Sequence, residues 1–308
     1  MADFDVLIIG GGPAGLTTGI YAGRAQLKVG MIERLMPGGQ VAGTELIENF
    51  PGFDEGVEGP ELMQRMERQA RKFGLEIMSG FIGEVDLKSE IKTVEVDGEV
   101  HRAKTIVIAT GSDAKLMNVP GEKEFKGRGV SYCATCDGPF FKDKDIVVVG
   151  GGSSGIQESL YLTRFVKSIQ LVEFLDHLNA EKILQERAKA DPKFSFYLNH
   201  QVMAINGTQK VESVTVKDRA SNQEKVLKCD GVFIWIGMKP NTEFLGGQIQ
   251  LDQWGSIVTD EDMQTSIPGV YAIGDVRAKK IRQITTAVGD GTIAAESALH
   301  YIEKLNLK

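Results

Sequence analysis

The chain of 308 residues is 42% hydrophobic and 25% charged and has a formal net charge of −7, which is typical of a globular protein long enough for two domains. The acidic balance argues against nucleic acid and anionic membranes as partners, and three cysteines are too few for a secreted disulfide scaffold. Since the chain has neither a basic signal-peptide region nor an apolar run of membrane-spanning length, we expect a cytoplasmic protein.

The first elements have the pattern of a dinucleotide-binding βαβ unit. Residues 6–9 are wholly apolar, as in a buried parallel strand, and residues 10–15 (GGGPAG) lead into a predicted helix. A second predicted strand, residues 28–33, ends in an acid. This order predicts a dinucleotide whose phosphates face the helix N-terminus.

Four residues of this unit have predicted roles. Gly10 permits the tight turn, Gly12 lets the backbone approach a pyrophosphate, and Gly15 lets the helix pack against the strand. Glu33 lies 18 residues beyond Gly15, where a carboxylate can accept hydrogen bonds from ribose hydroxyls.

The next predicted elements are a helix, a hairpin and a strand. Residues 61–73 have the pattern of an amphipathic helix, and residues 93–102 that of an antiparallel hairpin with Asp97-Gly98 as its turn. Residues 105–108 form another apolar strand. The small residues 109–111 (ATG) that follow it would allow close approach of a bound cofactor.

Two cysteines, Cys133 and Cys136, lie at a spacing that can close a small disulfide ring or open to a dithiol. A zinc site would need two more ligands, and the chain offers only Cys229 and four scattered histidines, with no second CxxC and no HxxxH pattern. We therefore predict redox chemistry at this pair and no metal site.

After the cysteines the opening pattern repeats. Residues 145–149 are predicted to form a strand, residues 150–155 (GGGSSG) a second glycine-rich loop, and residues 168–173 a strand ending in an acid. Glu173 lies 18 residues beyond Gly155, the same spacing as in the first copy. This duplication predicts two bound dinucleotides, one in each domain, of which a flavin and a nicotinamide dinucleotide are the usual pair.

The remaining segments return to the first pattern. Residues 232–237 form a buried strand, and residues 239–242 (KPNT) break it near a predicted domain junction. A strand at residues 269–273 runs into Gly274 and Asp275. The Asp275 carboxylate could bind a sugar or ribityl hydroxyl, or it could cap a turn. A helix of small residues is predicted from about residue 283 to 299.

Eight short motifs in this order carry a resemblance to a known family, the low-molecular-weight thioredoxin reductases. They are GGGPAG (10–15), GGQ (38–40), ENFPG (48–52), ATG (109–111), CATCD (133–137), GGGSSG (150–155), GDV (274–276) and RQ (282–283). The resemblance covers nearly the whole chain. The motifs in this order, with a CATCD between two glycine-rich loops, are highly specific for this family.

The resemblance implies an α/β fold with two Rossmann-like, three-layer domains. A discontinuous FAD-binding domain would comprise residues 1–115 and 245–308, and an inserted nicotinamide-nucleotide-binding domain with the redox CxxC would comprise residues 116–244. It also implies a homodimer, and a rotation of one domain against the other during turnover.

The resemblance also implies the site residues. Cys136 would lie next to the flavin, Cys133 would attack the protein substrate, and Asp137 would donate a proton, although Asp137 could instead be a simple turn residue. The implied FAD-binding residues are Gly10, Gly12, Pro13, Ala14, Gly15, Glu33, Gly39, Gln40, Asn49, Ala109, Thr110, Gly111, Gly274, Asp275, Arg282 and Gln283. The implied nicotinamide-binding residues are Gly150, Gly152, Ser153, Ser154, Gly155 and Glu173.

The implied activity is thioredoxin-disulfide reduction, in which electrons from a nicotinamide pass through FAD to the Cys133–Cys136 disulfide and then to thioredoxin or a thioredoxin-like protein. One departure concerns the donor. Where the family has cations that hold the 2′-phosphate of NADPH, this chain has Glu173, Phe174, Leu175 and Asn179, and the second loop ends in glycine rather than alanine. We therefore expect NADH rather than NADPH.

Three alternatives remain open from the sequence. The same reductase could take electrons from ferredoxin or a reduced deazaflavin. A flavoprotein dithiol oxidase would instead pass electrons from a small dithiol to oxygen. A non-enzymatic flavoprotein scaffold or sensor is disfavoured by the intact CATCD motif, and the second loop with its terminal acid favours a nicotinamide donor.

Overall fold

The computed structural model describes residues 2–44 and 46–307 and divides into two compact units. Unit 1 comprises Met1–Asp113 and Lys239–Lys308, and unit 2 comprises Ala114–Met238. The family resemblance places the two crossings a few residues later, after residue 115 and before residue 245, whereas the junction predicted from the break at residues 239–242 agrees with the second crossing. Across the described residues, no helix is long and apolar enough to cross a membrane.

The helices and strands alternate along the chain, as expected of an α/β protein. Unit 1 begins with β1 (Phe4–Ile9), α1 (Pro13–Arg24), β2 (Val29–Glu33), α2 (Gly59–Lys72), β3 (Glu76–Ser79), β4 (Ile82–Asp86), β5 (Lys92–Val96) and β6 (Glu99–Ile108). The chain passes into unit 2 along β7 (Ser112–Ala114).

Unit 2 contains the cysteine motif and the second glycine-rich loop. Its elements are β8 (Val130–Ser131), α3 (Ala134–Asp137), β9 (Asp145–Val149), α4 (Ser153–Leu162), β10 (Ser168–Val172), α5 (Lys182–Ala190), β11 (Phe194–Tyr197), β12 (His200–Gly207), β13 (Val211–Asp218), β14 (Glu224–Lys228) and β15 (Gly231–Ile234). The chain returns to unit 1 along β16 (Met238–Pro240), and β17 (Val270–Ala272) and α6 (Ile284–Asn306) follow.

The sheet of unit 1 has the strand order β3-β2-β1-β6-β5-β4, with β17 also paired to β6. Strand β1 is parallel to both β2 and β6, and β17 is parallel to β6. The carboxyl ends of these four strands therefore meet at one edge, where a doubly wound sheet binds its ligand. This edge receives the loops that follow each strand, namely residues 10–15, 34–38, 109–111 and 274–276.

Alternation along β1 explains how the sheet of unit 1 is covered on both faces. Val6 and Ile8 pack into one apolar cluster with helices α1 and α6, whereas Leu7 and Ile9 pack into a second cluster with Ile257. Successive side chains of a strand point to opposite faces. The wholly apolar run of residues 6–9 in β1 is therefore typical of a strand in a sheet buried on both sides.

Unit 2 contains a five-stranded parallel sheet with the order β11-β10-β9-β15-β8, and a separate antiparallel sheet of β12, β13 and β14. Strand β9 lies between β10 and β15, as β1 lies between β2 and β6 in unit 1. The carboxyl ends of β9, β10 and β15 again share one edge, and the second glycine-rich loop follows β9 there.

Four predicted elements differ from the structure in extent. The segments predicted at residues 93–102 and 105–108 belong partly to one long strand, β6, whose first half pairs antiparallel with β5 and whose second half pairs parallel with β1. Strand β15 ends at Ile234, before the positive-φ Gly237. Helix α6 continues to Asn306, seven residues past its predicted end, because its apolar face stays packed on α1.

Candidate functional site

The redox candidate is the Cys133–Cys136 pair, which forms a disulfide with a Cα–Cα distance of 5.4 Å. Cys133 is the N-terminal cap of the short helix α3, and its Sγ accepts a hydrogen bond from the backbone N of Cys136 at 3.2 Å. The Thr135 hydroxyl lies 3.4 Å from the same sulfur. Both donors would stabilise negative charge on the Cys133 sulfur once the disulfide opens.

The rest of the motif is arranged around this sulfur. Cys136 is exposed and Cys133 is half-buried. Asp137 ends helix α3, its backbone N donates to the Cys133 carbonyl at 3.2 Å, and its side chain is half-buried. The third cysteine, Cys229, is buried, and burial raises the pKa of its thiol to about 12, so it remains protonated and unreactive.

A buried network that the sequence reasoning missed holds the segment before Cys133. Glu122 is fully buried, and its carboxylate accepts from the Tyr132 hydroxyl at 2.8 Å and from the backbone N of Met117 at 2.9 Å. The Trp235 indole donates to the Tyr132 carbonyl at 3.2 Å. Burial, followed by the Glu122 carboxylate, raises the pKa of the Tyr132 phenol. Nothing in the local sequence signals these contacts, because each depends on the tertiary fold.

The first glycine-rich loop has the geometry that a dinucleotide requires. Gly10 has φ of +108°, and a Cβ there would lie 2.4 Å from the Ala109 carbonyl oxygen. A Cβ on Gly15 would lie 2.1 Å from the Gly10 carbonyl oxygen, whereas a Cβ on Gly12 would meet nothing within 4 Å. Two glycines are therefore needed for close packing, and the third leaves open space in front of α1.

Two other predicted FAD-binding residues of unit 1, Gly39 and Gly274, lie close to this loop. A Cβ on Gly39 would lie 3.5 Å from Gly12 Cα, and one on Gly274 would lie 3.2 Å from Ala14 Cβ. Pro13 occupies the first turn of α1, where its missing N–H costs nothing.

Three predicted side chains are held by partners in the same unit. Gln40 donates to the Ser112 carbonyl at 3.3 Å, and Asn49 donates to Gln283 at 3.1 Å. The Thr110 hydroxyl donates to the Asn241 carbonyl at 2.8 Å, so it fixes the loop after β6.

The segment around Asp275 is supported by a charged cluster at the start of helix α6. The buried Asp290 carboxylate accepts from Gly274 N at 3.0 Å and pairs with Arg277 at 3.1 Å and Lys279 at 3.0 Å. Burial raises the pKa of Asp275, an effect opposed by Lys279 and Arg282. The predicted residue Arg282 is exposed. Sequence reasoning did not identify Asp290, which fixes the turn that presents Asp275.

One buried polar atom in unit 1 supports a bound group at this edge. The Ser112 side chain is 4% exposed, and its Oγ finds no hydrogen-bond partner among the described residues. Ser112 follows the Ala-Thr-Gly loop and accepts at its carbonyl from Gln40. An unsatisfied buried hydroxyl is costly. Together with the open space at Gly12, it shows that the residues present fit a dinucleotide such as FAD.

The second glycine-rich loop repeats the first in detail. Gly150 has φ of +117°, a Cβ on Gly155 would lie 2.1 Å from the Gly150 carbonyl oxygen, and a Cβ on Gly152 would meet nothing within 4 Å. The tight contact at Gly155 explains why glycine stands there. Ser153 accepts from Glu181 N at 3.1 Å through its hydroxyl, and Ser154 is exposed.

A cavity of about 470 Å³ opens beside this second loop, within the size range of cofactor sites. It lies at the carboxyl ends of β9, β10 and β15. It is lined by Met117, Val119, Val149, Gly150, Gly152, Val172, Glu173, Phe174, Leu175, Asn179, His200, Gln201, Val202, Trp235, Ile236 and Gly237. None of these described lining residues is a lysine or an arginine. The lining itself therefore offers no lysine or arginine to a 2′-phosphate, although the Arg219 guanidinium lies behind Phe174, 3.7 Å from its ring centroid.

Glu173 is buried at the rim of this cavity. Its carboxylate accepts from the backbone N of Gly151 and, at 2.9 Å, from that of Leu175. Carboxylate oxygens have about four acceptor positions in all, so capacity remains for ribose hydroxyls. Asn179 is held beside the loop through its backbone N, which donates to the Gly151 carbonyl at 3.0 Å.

Comparison with known proteins identifies the family of the chain. The family model described as pyridine nucleotide-disulphide oxidoreductase matches residues 4–291. The thioredoxin reductase of Bacillus subtilis is 48% identical over 303 residues, which cover 98% of this chain and 96% of the relative. The chain belongs to the thioredoxin reductases of the pyridine nucleotide-disulphide oxidoreductase family.

Solved structures of this family share the fold. The crystal structure of the Lactococcus lactis thioredoxin reductase has a TM-score of 0.96 and 41% identity, and the match covers 98% of this chain and 100% of that one. The crystal structure of the T. acidophilum thioredoxin reductase has a TM-score of 0.93 and 35% identity, and the match covers 99% of this chain and 100% of that one. The predicted α/β, Rossmann-like fold and the predicted flavoprotein oxidoreductase class are confirmed. Family membership implies FAD, a nicotinamide nucleotide and thioredoxin as the protein substrate.

Proposed function

We propose that the chain is a thioredoxin-disulfide reductase that binds FAD in unit 1, takes electrons from NADH bound in unit 2, and reduces thioredoxin or a thioredoxin-like protein. The observation that carries the proposal is the Cys133–Cys136 disulfide, which lies in the same unit as a nucleotide-sized cavity. FAD, when bound, supplies a two-electron relay between a nicotinamide and a disulfide.

The residues that would hold FAD are those at the carboxyl edge of the unit 1 sheet. Backbone groups at Gly12 and the first turn of α1 would face the pyrophosphate. Glu33 would accept from ribose hydroxyls, and Asp275 would bind a hydroxyl of the ribityl chain. The buried hydroxyl of Ser112 would donate to the bound group, which satisfies it.

The exchange with thioredoxin uses the chain's own sulfurs. Once two electrons have opened the disulfide, the Cys133 thiolate attacks one sulfur of the thioredoxin disulfide, and the other sulfur leaves as a thiolate. The Cys136 thiolate then attacks the Cys133 sulfur, re-forms the Cys133–Cys136 bond and releases the second thioredoxin thiolate. Two electrons pass to thioredoxin, whose two thiolates take up two protons.

The hydrogen bonds at Cys133 support this division of roles. Its Sγ receives the Cys136 N–H and lies beside the Thr135 hydroxyl, so its thiolate would be the better stabilised of the two. Asp137, which directly follows Cys136, would exchange a proton with the thiol pair.

Glu173 supports NADH rather than NADPH as the donor. A 2′-phosphate on this ribose would face the Glu173 carboxylate, which has the same sign of charge. At a separation of ~4 Å the repulsion would be about 1 kcal/mol in bulk water and about 4 kcal/mol in a partly buried site. No lysine or arginine is among the described lining residues, and the Arg219 guanidinium behind Phe174 is engaged through Nη1 by the Phe174 carbonyl and the Asn199 side chain. Even ~1.4 kcal/mol corresponds to a tenfold preference.

The test is anaerobic mixing of the flavin-loaded protein with NADH, with NADPH or with neither, followed by flavin absorbance. We expect NADH to bleach the flavin at a rate that saturates with nucleotide concentration, and NADPH to do so with lower kcat/KM. A protein that binds no FAD would refute the whole assignment. If neither nucleotide reduced the flavin, the donor would be ferredoxin or a reduced deazaflavin instead.

We further propose that the active protein is a homodimer and that it acts in the cytoplasm. The motivation for the dimer is the resemblance of the chain to a dimeric family over nearly its whole length. Light scattering of the flavin-loaded protein should give twice the chain mass of 33.6 kDa, and a monomeric mass with full activity would contradict the dimer.

A further inference from the structure

Phe174 is the first residue after the acid of the second dinucleotide unit, and it lies at the cavity. It follows strand β10 and Glu173, lines the cavity and remains 49% exposed. Single exposed apolar side chains are common on protein surfaces, but this ring lies at a cavity, where it offers an apolar face to a ligand. Its position next to the ribose-binding acid makes the ligand itself the natural cover.

One face of the Phe174 ring is already occupied. The Arg219 guanidinium lies 3.7 Å from the ring centroid, well inside the distance of a cation–π contact. The same guanidinium donates through Nη1 to the Phe174 carbonyl at 3.0 Å and to the Asn199 side-chain oxygen at 3.3 Å. The Arg219 backbone N donates to the Asn199 carbonyl at 2.9 Å. These contacts hold ring and guanidinium in one stacked arrangement.

This arrangement does not depend on the loop of Phe174 alone. Arg219 lies just beyond β13, in the turn that leads to β14, whereas Phe174 follows β10 of the parallel sheet. Strand β12 begins at His200, directly after Asn199, and the His200 backbone N donates to the Glu173 carbonyl at 2.9 Å. The antiparallel sheet therefore supports the cavity rim from behind, and the ring is fixed before any ligand arrives.

We propose that Phe174, backed by Arg219, is the platform on which the adenine of the dinucleotide stacks. The inference rests on the proposed function, since it assumes that Glu173 binds the adenosine ribose. The base is joined to that ribose, so it must lie within a few ångströms of the acid and of the next residue along the chain. Phe174 and Leu175 give this end of the cavity an apolar surface that suits a purine face.

In this proposal, stacking of the adenine on Phe174 supplies the affinity that cations would otherwise supply by binding a 2′-phosphate. A purine has a π-face whether or not the ribose carries a phosphate, so stacking gives affinity to every adenine nucleotide alike. Discrimination against the 2′-phosphate is then left to Glu173. Arg219 acts by backing the ring, because one of its two terminal nitrogens is engaged by the Phe174 carbonyl and by Asn199.

The experiment measures binding of nucleotide fragments to the flavin-loaded protein by isothermal titration calorimetry. ADP-ribose contains the adenine, and nicotinamide mononucleotide lacks it. Phe174→Ala should weaken ADP-ribose binding about tenfold, a typical loss for one base–aromatic stack, and should leave nicotinamide mononucleotide binding unchanged. Phe174→Tyr keeps a ring and should bind ADP-ribose within about twofold of the wild type.

Arg219 is tested in the same way. Arg219→Gln removes the cation and should weaken ADP-ribose binding about threefold, and Arg219→Lys, which keeps the charge but not the planar stack, should fall between it and the wild type. The matched control is Lys225→Gln, since Lys225 makes a similar contact with Tyr197, at 4.8 Å from the ring centroid, and Tyr197 does not line the cavity. That control should bind both fragments normally.

The outcomes separate this inference from the donor assignment. If Phe174→Ala bound ADP-ribose like the wild type, or lost both fragments equally, the platform would be refuted while NADH could still reduce the flavin. If the wild type bound ADP-ribose through Phe174 but NADH left the flavin oxidised, the donor assignment would fall and the platform would stand. A wild type that bound no ADP-ribose would overturn both.

Discussion

Glu173 in unit 2 repeats the hydrogen bonding of Glu33 in unit 1. The Glu33 carboxylate accepts from Gly11 N at 2.7 Å and from Leu35 N at 3.1 Å, and the Glu173 carboxylate accepts from the backbone N of Gly151 and Leu175. In each copy the acid joins the middle glycine of the loop to the backbone two residues beyond itself. The duplication therefore extends to individual side-chain contacts, and the two carboxylates are held in the same way.

The first prediction concerns the choice of nucleotide. Glu173→Gln removes the negative charge but keeps an acceptor oxygen for one backbone N–H, so the repulsion of a 2′-phosphate disappears. The ratio of kcat/KM for NADH to that for NADPH should fall about tenfold, which corresponds to ~1.4 kcal/mol. Steady-state kinetics with both nucleotides measures the ratio. Glu186→Gln, an exposed acid on α5, is the control, and an unchanged ratio in Glu173→Gln would count against the role of the acid.

The second prediction separates the two cysteines. Cys133→Ser should abolish thioredoxin reduction while the donor still reduces the flavin, because attack requires the Cys133 thiolate. Cys136→Ser leaves Cys133 able to attack but unable to be resolved, so it should trap thioredoxin as a stable mixed disulfide. Non-reducing electrophoresis detects the trapped complex. Wild-type activity in both single variants would mean that the disulfide is only structural.

The third prediction tests Asp290 as support for the FAD site. Asp290→Asn keeps an acceptor for Gly274 N but removes the charge that pairs with Arg277 and Lys279. Losing one partner of a buried ion pair costs about 3 to 5 kcal/mol. We expect a lower unfolding midpoint and a higher dissociation constant for FAD, measured by the fluorescence of released flavin. Glu296→Gln, an exposed acid on the same helix, should change neither.

The fourth prediction is a pH dependence of stability. Burial raises the pKa of Glu158 on α4 to about 7, above its ordinary value of 4.5. The folded protein therefore holds a proton that the unfolded chain has lost between those two pH values. The stability that this proton contributes is complete below pH ~4.5 and is lost as the pH rises through about 7.

Glu158→Gln should remove this dependence. At pH 8 the free energy of unfolding of the variant should exceed that of the wild type by roughly 2 kcal/mol. This is less than the free energy equivalent to the whole pKa shift of Glu158, because the side chain is only half-buried. At pH 4.5 the two proteins should be nearly equal. Urea unfolding at both pH values makes the comparison. A difference of the same size at both would show that packing, not protonation, is responsible.

The sequence by itself predicted the features that depend on short spacing. Both glycine-rich loops, the acids 18 residues beyond them and the CxxC pair each lie within one supersecondary unit, where a strand, a turn and a helix leave few alternatives. Wholly apolar runs such as residues 6–9 of β1 likewise predict a sheet buried on both faces. For these elements local chemistry and global fold agree, so the pattern is sufficient.

Only the tertiary structure decided the contacts between distant segments. Arg219 stacks on Phe174 across 45 residues, and Asp290 reaches Gly274 across 16. Glu122 is only ten residues from Tyr132, but their contact requires a buried turn that no motif marks. Such pairs form because strand order brings different loops to the same sheet edge. The partner of a given carboxylate, guanidinium or ring can therefore be identified only when the strand order, and with it the set of neighbouring loops, is known.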